Sequence, residues 1–204
     1  MKKNHQPEKE KNKPHNLLSK FASIPMLMVF LGACIFSSMM NFQSIIAINK
    51  GLDFSYFYIS YTISVIFARF LLTDVVLNLF REKTMMVLLF VMCVSIALFM
   101  LIESNYQYLI PSSLLGISYG LLYPLIQTSA VKDAQNDTER KTILTAFSFS
   151  YFIGVYGFPY FFSLVYSEYG HNFAFLILLA VSVLELVSGV VFYLLYRNKE
   201  KIAA

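Results

Sequence analysis

Six apolar runs of about twenty residues or more leave this chain one main way to fold, as helices crossing a hydrocarbon layer. The runs are Ile24 to Ile48, Phe54 to Phe80, Thr84 to Ile102, Tyr108 to Val131, Thr142 to Ser167 and Asn172 to Tyr196. At 1.5 Å per residue, about 20 helical residues span the roughly 30 Å hydrocarbon core of a bilayer. Four of the runs carry no charge, whereas the second holds Arg69 and Asp74 and the sixth holds Glu185. Barrel strands are excluded, because they need only about 9–11 residues of alternating polarity, and these runs are longer and do not alternate. With 57% hydrophobic and 14% charged residues among 204, a water-soluble domain could not bury this much apolar surface. The reading is an all-α membrane protein with the lipid bilayer as its first partner.

Charge sets the orientation, since cytoplasmic segments retain Lys and Arg. With the N-terminus inside, fourteen of sixteen basic residues fall on the cytoplasmic side: six in the tail from Lys2 to Lys20, then Arg81, Lys83, Lys132, Arg140, Lys141, Arg197, Lys199 and Lys201. Lys50 alone lies outside, and Arg69 lies within a span. Both termini are therefore expected in the cytoplasm. The same asymmetry accounts for the net charge of +4 without a nucleic-acid partner, which would need a basic or aromatic cluster in a soluble domain. Residues 1–23 read as a disordered basic cytoplasmic tail, 24–197 as the transmembrane domain and 198–204 as a second cytoplasmic tail. The tail is too long and its apolar run too extended for a signal peptide. A transit peptide would avoid Glu8 and Glu10 and contain Arg. A multi-pass protein of a bacterial-type plasma membrane is the expectation.

Chemistry-bearing clusters are absent from the sequence. Cys34 and Cys93 lie inside apolar runs as small hydrophobes, His5 and His15 are in the tail, and His171 sits in an external turn. No metal-ligand spacing, phosphate loop or Ser-His-Asp set occurs, so neither an enzyme, a metal site nor a cofactor is expected.

The turns Asn49 to Asp53, Arg81 to Lys83, Glu103 to Gln107 and Glu168 to His171 are short, which makes sequential helices antiparallel neighbours. The longer charged loop from Lys132 to Lys141 divides the helices into three plus three. With the second triplet entering from the opposite side, this is the inverted-repeat arrangement of secondary carriers. Four segments then point to a family. Helix two runs from Arg69 through Thr73, Asp74, Leu77 and Asn78 to Arg81, in the placement of an Arg-x3-Gly-x3-Asp-x3-Arg segment. Thr73 and Leu77 stand where the glycine and the aspartate would be. Helix four carries Gly116, Tyr119, Gly120 and Pro124, and helix five carries Gly154, Gly157 and Pro159. The turn Tyr169-Gly170 with Phe173 leads into helix six. In this order and spacing, residues 22–197 resemble the C-terminal half of a major facilitator superfamily (MFS) transporter. The resemblance implies that the tail corresponds to the central linker, and it places Arg69 in a carrier's eighth helix, which lines the cavity. Glu185 would then fall in the peripheral twelfth.

Physical readings stand beside that resemblance. Small residues four apart, such as Gly116 and Gly120, let helices approach where lipid supplies no hydrophobic drive. Pro124 and Pro159 each remove a helical hydrogen bond and favour a bend. Gly154 and Gly157 join this packing set; static packing and support for rocking motion are both open. Arg69 lies about 16 Å along the helix from Phe80, near mid-membrane, where a cation costs about 2.5–3.5 kcal/mol on insertion scales. It either meets an anionic or gating partner or pairs with an acid such as Glu185 as structural glue. Glu185 is a coupling candidate or a neutral acid bonded to a neighbouring helix. Asp74 and Arg81, seven apart on one face, belong to the inner gate or the loop.

The polar residues Asn41, Gln43, Tyr58, Tyr61, Tyr119, Tyr123, Gln127, Ser148, Tyr151 and Tyr156 lie on helices expected to line a cavity. Of these, Asn41, Tyr119, Tyr123 and Tyr151 join Arg69 as substrate-contact candidates, while most other tyrosines are expected as interfacial anchors.

An MFS carrier needs two six-helix halves, and these spans make one. A split or truncated product, a homodimer, or pairing with a separately encoded second half would each complete it. The expected function is gradient-driven transport of a small organic solute by alternating access, as an exporter. The rival class is a non-transporting scaffold or regulatory subunit; a channel is disfavoured because no charged ring or repeated pore motif appears.

Overall fold

An apolar surrounding offers no water to peptide groups, so each run must satisfy its N–H and C=O groups internally. The computed structural model describes residues 20–72 and 81–203, and no strand occurs among them. Side chains are described for residues 23–71 and 83–198. Helix α1 spans Lys20–Asn49, α2 spans Ser55–Phe67 and continues as a π-helical turn over Ala68–Leu72, and α3 spans Arg81–Met100. A 3₁₀ turn at Asn105–Tyr108 leads into α4, Leu109–Ala130, and α5 covers Asp137–Ala203. Among the described residues, four stretches are long and apolar enough to cross a membrane: Ser23–Asn49, Lys83–Met100, Asn105–Ala130 and Asp137–Asn198. Residues 1–19 of the expected tail, and Asp74 with the rest of 73–80, lie outside the described residues. The two end helices overrun their apolar runs: α1 starts at Lys20 rather than Ile24, and α5 continues past Tyr196 to Ala203.

The longest element is interrupted once. Gly170 has φ 78° and ψ 176°, a conformation that side chains with a Cβ resist, and there α5 turns back on itself. Contacts fix the direction of its two arms. Along the first arm, Gly154 meets Phe30 and Ala33, Phe162 meets Phe42, and Tyr166 meets Asn49, so this arm runs parallel to α1. Along the second, Phe175 stacks on Phe99 and Gly189 lies on Leu89, so this arm runs antiparallel to α3. Its start is capped reciprocally: Asn136 Oδ1 accepts from Glu139 N at 2.8 Å, and Glu139 Oε2 accepts from Gln135 N at 2.9 Å. Two orphan amides are thereby satisfied at the helix start.

One end of the bundle is tied by polar side chains. Lys50 Nζ donates to the Ile102 carbonyl at 3.0 Å, Asp53 N donates to Asn105 Oδ1 at 2.8 Å, and Asn49 Nδ2 donates to Tyr166 Oη at 2.8 Å. At the other end Lys132 Nζ sits 3.7 Å from the centre of the Tyr196 ring. The tied end has a pH handle. Asp53 Oδ1 accepts from Ser55 N at 2.9 Å, and hydrogen bonds from Ser55 hold its carboxyl below the usual carboxylate range. A depressed pKa means that the contribution is complete above the unfolded value, about 3.9, and is lost as pH falls through the folded value. Amide exchange at residues 55–58 is therefore expected to speed up as pH drops below about 3.9, after correction for intrinsic rates. Equal protection at pH 5 and pH 3 would remove this role.

The interior is filled by Phe57, Phe147, Phe162, Phe175, Met28, Met92 and Ile96, all fully buried. Ile63, Phe90, Ile110 and Leu194 point outward, as helices that are apolar all round must do in lipid.

Candidate functional site

Close packing of α4 on α2, and of α5 on α1, positions the polar side chains. A Cβ at Gly116 would lie 2.7 Å from the Tyr61 carbonyl oxygen and 2.9 Å from Ser64 Cβ. A Cβ at Gly154 would lie 2.7 Å from the Phe30 carbonyl oxygen and 2.8 Å from Ala33 Cβ. Ser37 Oγ also reaches the Gly154 carbonyl at 3.4 Å. Gly120 faces Val65 at ordinary contact distance, whereas Gly157 has nothing within 4 Å. Thr128 Oγ1 donates to the Pro124 carbonyl at 2.8 Å, one turn beyond the bond that the proline ring removes. Pro159 lies inside the first arm of α5.

These contacts bring four tyrosines from three helices together: Tyr61 on α2, Tyr119 and Tyr123 on α4, and Tyr151 on α5. Tyr123 and Tyr151 meet edge to face at 5.4 Å, and Tyr123 also meets Phe147 at 5.6 Å. Tyr119 stacks on Phe36 of α1 at 4.7 Å with only 4° between the planes, and its hydroxyl interacts with that of Tyr151. Tyr61 and Tyr119 are buried, while Tyr123 and Tyr151 are half-buried and form the accessible rim. Arg69, in the π-helical turn, is exposed and lies within electrostatic range of Tyr61 and Tyr123. A π turn widens the helix by one residue and changes the direction of the side chains beyond it, a device found often at functional positions.

The remaining candidates fall elsewhere. Asn41 is exposed, its amide bonded to the Ser37 carbonyl at 2.7 Å, roughly 7.5 Å further along α1 than Phe36. Asp74 and the Arg81 side chain lie outside the described residues. Glu185 is only 1% exposed and fits against Gly32, where a Cβ would approach its Oε1 to 3.0 Å. Among the described residues its Oε2 has no hydrogen-bond partner, and its neighbours include Cys34, Cys93 and Tyr119. Arg69 and Glu185 are not ion-paired. The second arm of α5 packs Glu185 toward Gly32 and Cys34 of α1 and Cys93 of α3, whereas Arg69 lies in range of Tyr61 and Tyr123.

Sequence reasoning did not single out Gly32 or Phe36. Gly32 is the one glycine in α1, and such a notch opposite a buried acid was the available signal. Phe36 carries no signal of its own in a helix that is apolar on every side.

A first-arm face of α5 remains uncovered. A shallow open groove runs along Thr138, Lys141, Thr142, Thr145, Ala146 and Phe149, and exposed Ile153, Tyr156 and Tyr160 continue it.

Long apolar helices packed through glycines, with an exposed guanidinium in range of a tyrosine cluster, make a helical bundle of the polytopic membrane type. The chain belongs to the Major Facilitator Superfamily, whose family model matches residues 2–155. No curated protein matches the sequence significantly. Among solved structures, a crystal structure of the POT-family transporter PepTSo, obtained in meso, superposes with a TM-score of 0.74 at 17% identity. That match covers 84% of this chain and 37% of the transporter's chain, so the likeness is one of fold, over well under half of the larger protein.

Proposed function

We propose that the chain forms one half of an MFS secondary carrier that moves a small organic solute by alternating access. In this reading α1 to α3 and α4 with the two arms of α5 are the two inverted three-helix repeats, giving six spans and the C-terminal half. Both termini face the cytoplasm of a plasma membrane, and the direction is export. The observation that carries the reading is the exposed Arg69 beside the tyrosine cluster, a cation that a purely structural bundle would have no reason to leave at mid-span. Tyr119, Tyr123 and Tyr151 contact solute in this scheme, with Asn41 further along the same path. Asp74 and Arg81 act at the inner gate, and Glu185 acts in coupling. The packing of Gly116, Gly120 and Gly154, with bends at Pro124 and Pro159 and space at Gly157, lets the helices rock.

A second six-helix unit, whether a separate chain, the missing part of a longer one or a second copy, supplies the opposite wall. The open stripe from Thr138 to Tyr160 is available to receive it. Counterflow in proteoliposomes tests this. The chain reconstituted alone and the chain co-reconstituted with a six-helix partner half are compared, and flux in either supports a carrier. Absence of flux in both, with the folded chain still capturing a membrane partner, would make it a non-transporting scaffold or regulatory subunit.

A further inference from the structure

The chemistry around Arg69 narrows the class of solute. Among the described residues, Arg69 and Glu185 are the only charged side chains well inside the apolar spans. They are treated oppositely: Glu185 is enclosed against Gly32, and Arg69 is open. No carboxylate among the described residues pairs with Arg69, so its guanidinium is the open charge that they present here. Field lines in a low-dielectric surrounding are poorly screened, and they favour an anion over a neutral or cationic guest.

Hydrogen-bonding capacity points the same way. A guanidinium presents a planar fork of donors matched to a carboxylate or phosphonate, and it has no acceptor. The Tyr123 hydroxyl in its range, at the accessible rim, is a donor that can take one of the anion's remaining lone pairs. Beside this polar end the walls are flat and apolar. They comprise the rings of Tyr123 and Tyr151, which meet edge to face at the accessible rim and are backed by the buried Phe147 and Tyr119. Such walls hold a planar or aromatic body by offset or edge-on contact.

Resting on the reading of this face as solute-contacting, we infer that the solute is an organic anion: a carboxylate or similar group held by Arg69 and attached to a flat apolar body lying on the tyrosine rim. Arg69 selects the charge, and Tyr123 and Tyr151 bind the body.

Three matched probes test the inference on the full chain in detergent: 4-phenylbutyrate, its amide, and 4-phenylbutylamine. Affinity is read from quenching of intrinsic tyrosine fluorescence and, independently, from equilibrium dialysis. The carboxylate is expected to bind at least tenfold more tightly than the amide, and the amine more weakly still. Arg69→Gln should make carboxylate and amide equal, Arg69→Lys should retain part of the preference, and Tyr151→Leu should weaken carboxylate and amide alike. Melting temperatures of the variants check that each is folded.

Equal binding of carboxylate and amide by the wild-type chain, with Tyr151→Leu weakening both, would overturn the anion class and leave the solute face standing. A carboxylate preference untouched by Arg69→Gln would overturn the assignment to Arg69. Failure of all three probes to bind would overturn the solute face itself.

Discussion

The double substitution Gly116→Ala with Gly154→Ala is expected to lose about 2–6 kcal/mol of stability, the sum of about 1–3 kcal/mol for each overpacked site. In both places the added methyl would meet a backbone oxygen at 2.7 Å, Tyr61 O or Phe30 O, which cannot rotate aside as a side-chain tip can. The helix pair must therefore separate, and lipid gives no hydrophobic return for the separation. Gly116 acts on the α2–α4 contact and Gly154 on the α1–α5 contact, so the effects should add. Gly157→Ala is the control: nothing lies within 4 Å of its Cβ position, and a helical Gly→Ala change should gain about 0.5–1 kcal/mol. Unfolding in mixed detergent with a denaturing surfactant measures the wild type, the two single variants, the double variant and the control. A loss at Gly157→Ala as large as at Gly154→Ala would mean that glycine content, and not close approach, stabilises the bundle.

Glu185→Gln should separate fold from function. The amide has nearly the carboxyl's shape and fits the same notch at Gly32, so stability should change by less than about 1 kcal/mol. Solute accumulation against a gradient by the assembled carrier should fall at least tenfold, because glutamine cannot take up and release a proton. Equilibrium exchange of solute, which needs no net proton movement, should continue. Unchanged accumulation would reduce Glu185 to a structural acid. Glu185→Lys makes the converse point: it places a cation where Cys34, Cys93 and Tyr119 are the polar neighbours, and it should prevent recovery of folded protein.

The two ionisable residues of the spans illustrate what a sequence of this kind can reveal. Arg69 and Glu185 announce themselves because charges in apolar runs are costly. Their depth follows from counting residues at a fixed rise. The same counting leaves open whether they pair, and equal depth kept that option alive. In the fold Glu185 turns to Gly32 while Arg69 stands exposed in range of Tyr61 and Tyr123, and the two do not pair. The convergence of Tyr119, Tyr123 and Tyr151 was legible as three polar side chains on helices expected to line a cavity. Tyr61 was legible only as one of ten polar side chains on those helices, and Phe36, which stacks on Tyr119, was not separable from the other aromatics.

The π-helical turn at Ala68–Leu72 left no mark in the sequence, since it adds one residue to a turn without changing residue type. Gly170 behaves differently. A Tyr-Gly pair between two apolar runs marks a turn, and a positive φ of 78° is what a glycine there permits.

From sequence alone came the helical class, the number and length of the apolar runs, most of the turns and the asymmetry of basic charge; Arg81 to Lys83, read as a turn, instead opens α3. Each follows from local chemistry, because a run must be apolar and internally hydrogen-bonded to remain in lipid and a loop must be polar to remain in water. Only the tertiary structure decided which faces meet. Helices that are apolar on every side carry no stripe to mark the buried face. The arrangement of Arg69 beside tyrosines, and of Glu185 inside a glycine notch, was settled by close packing at Gly32, Gly116 and Gly154.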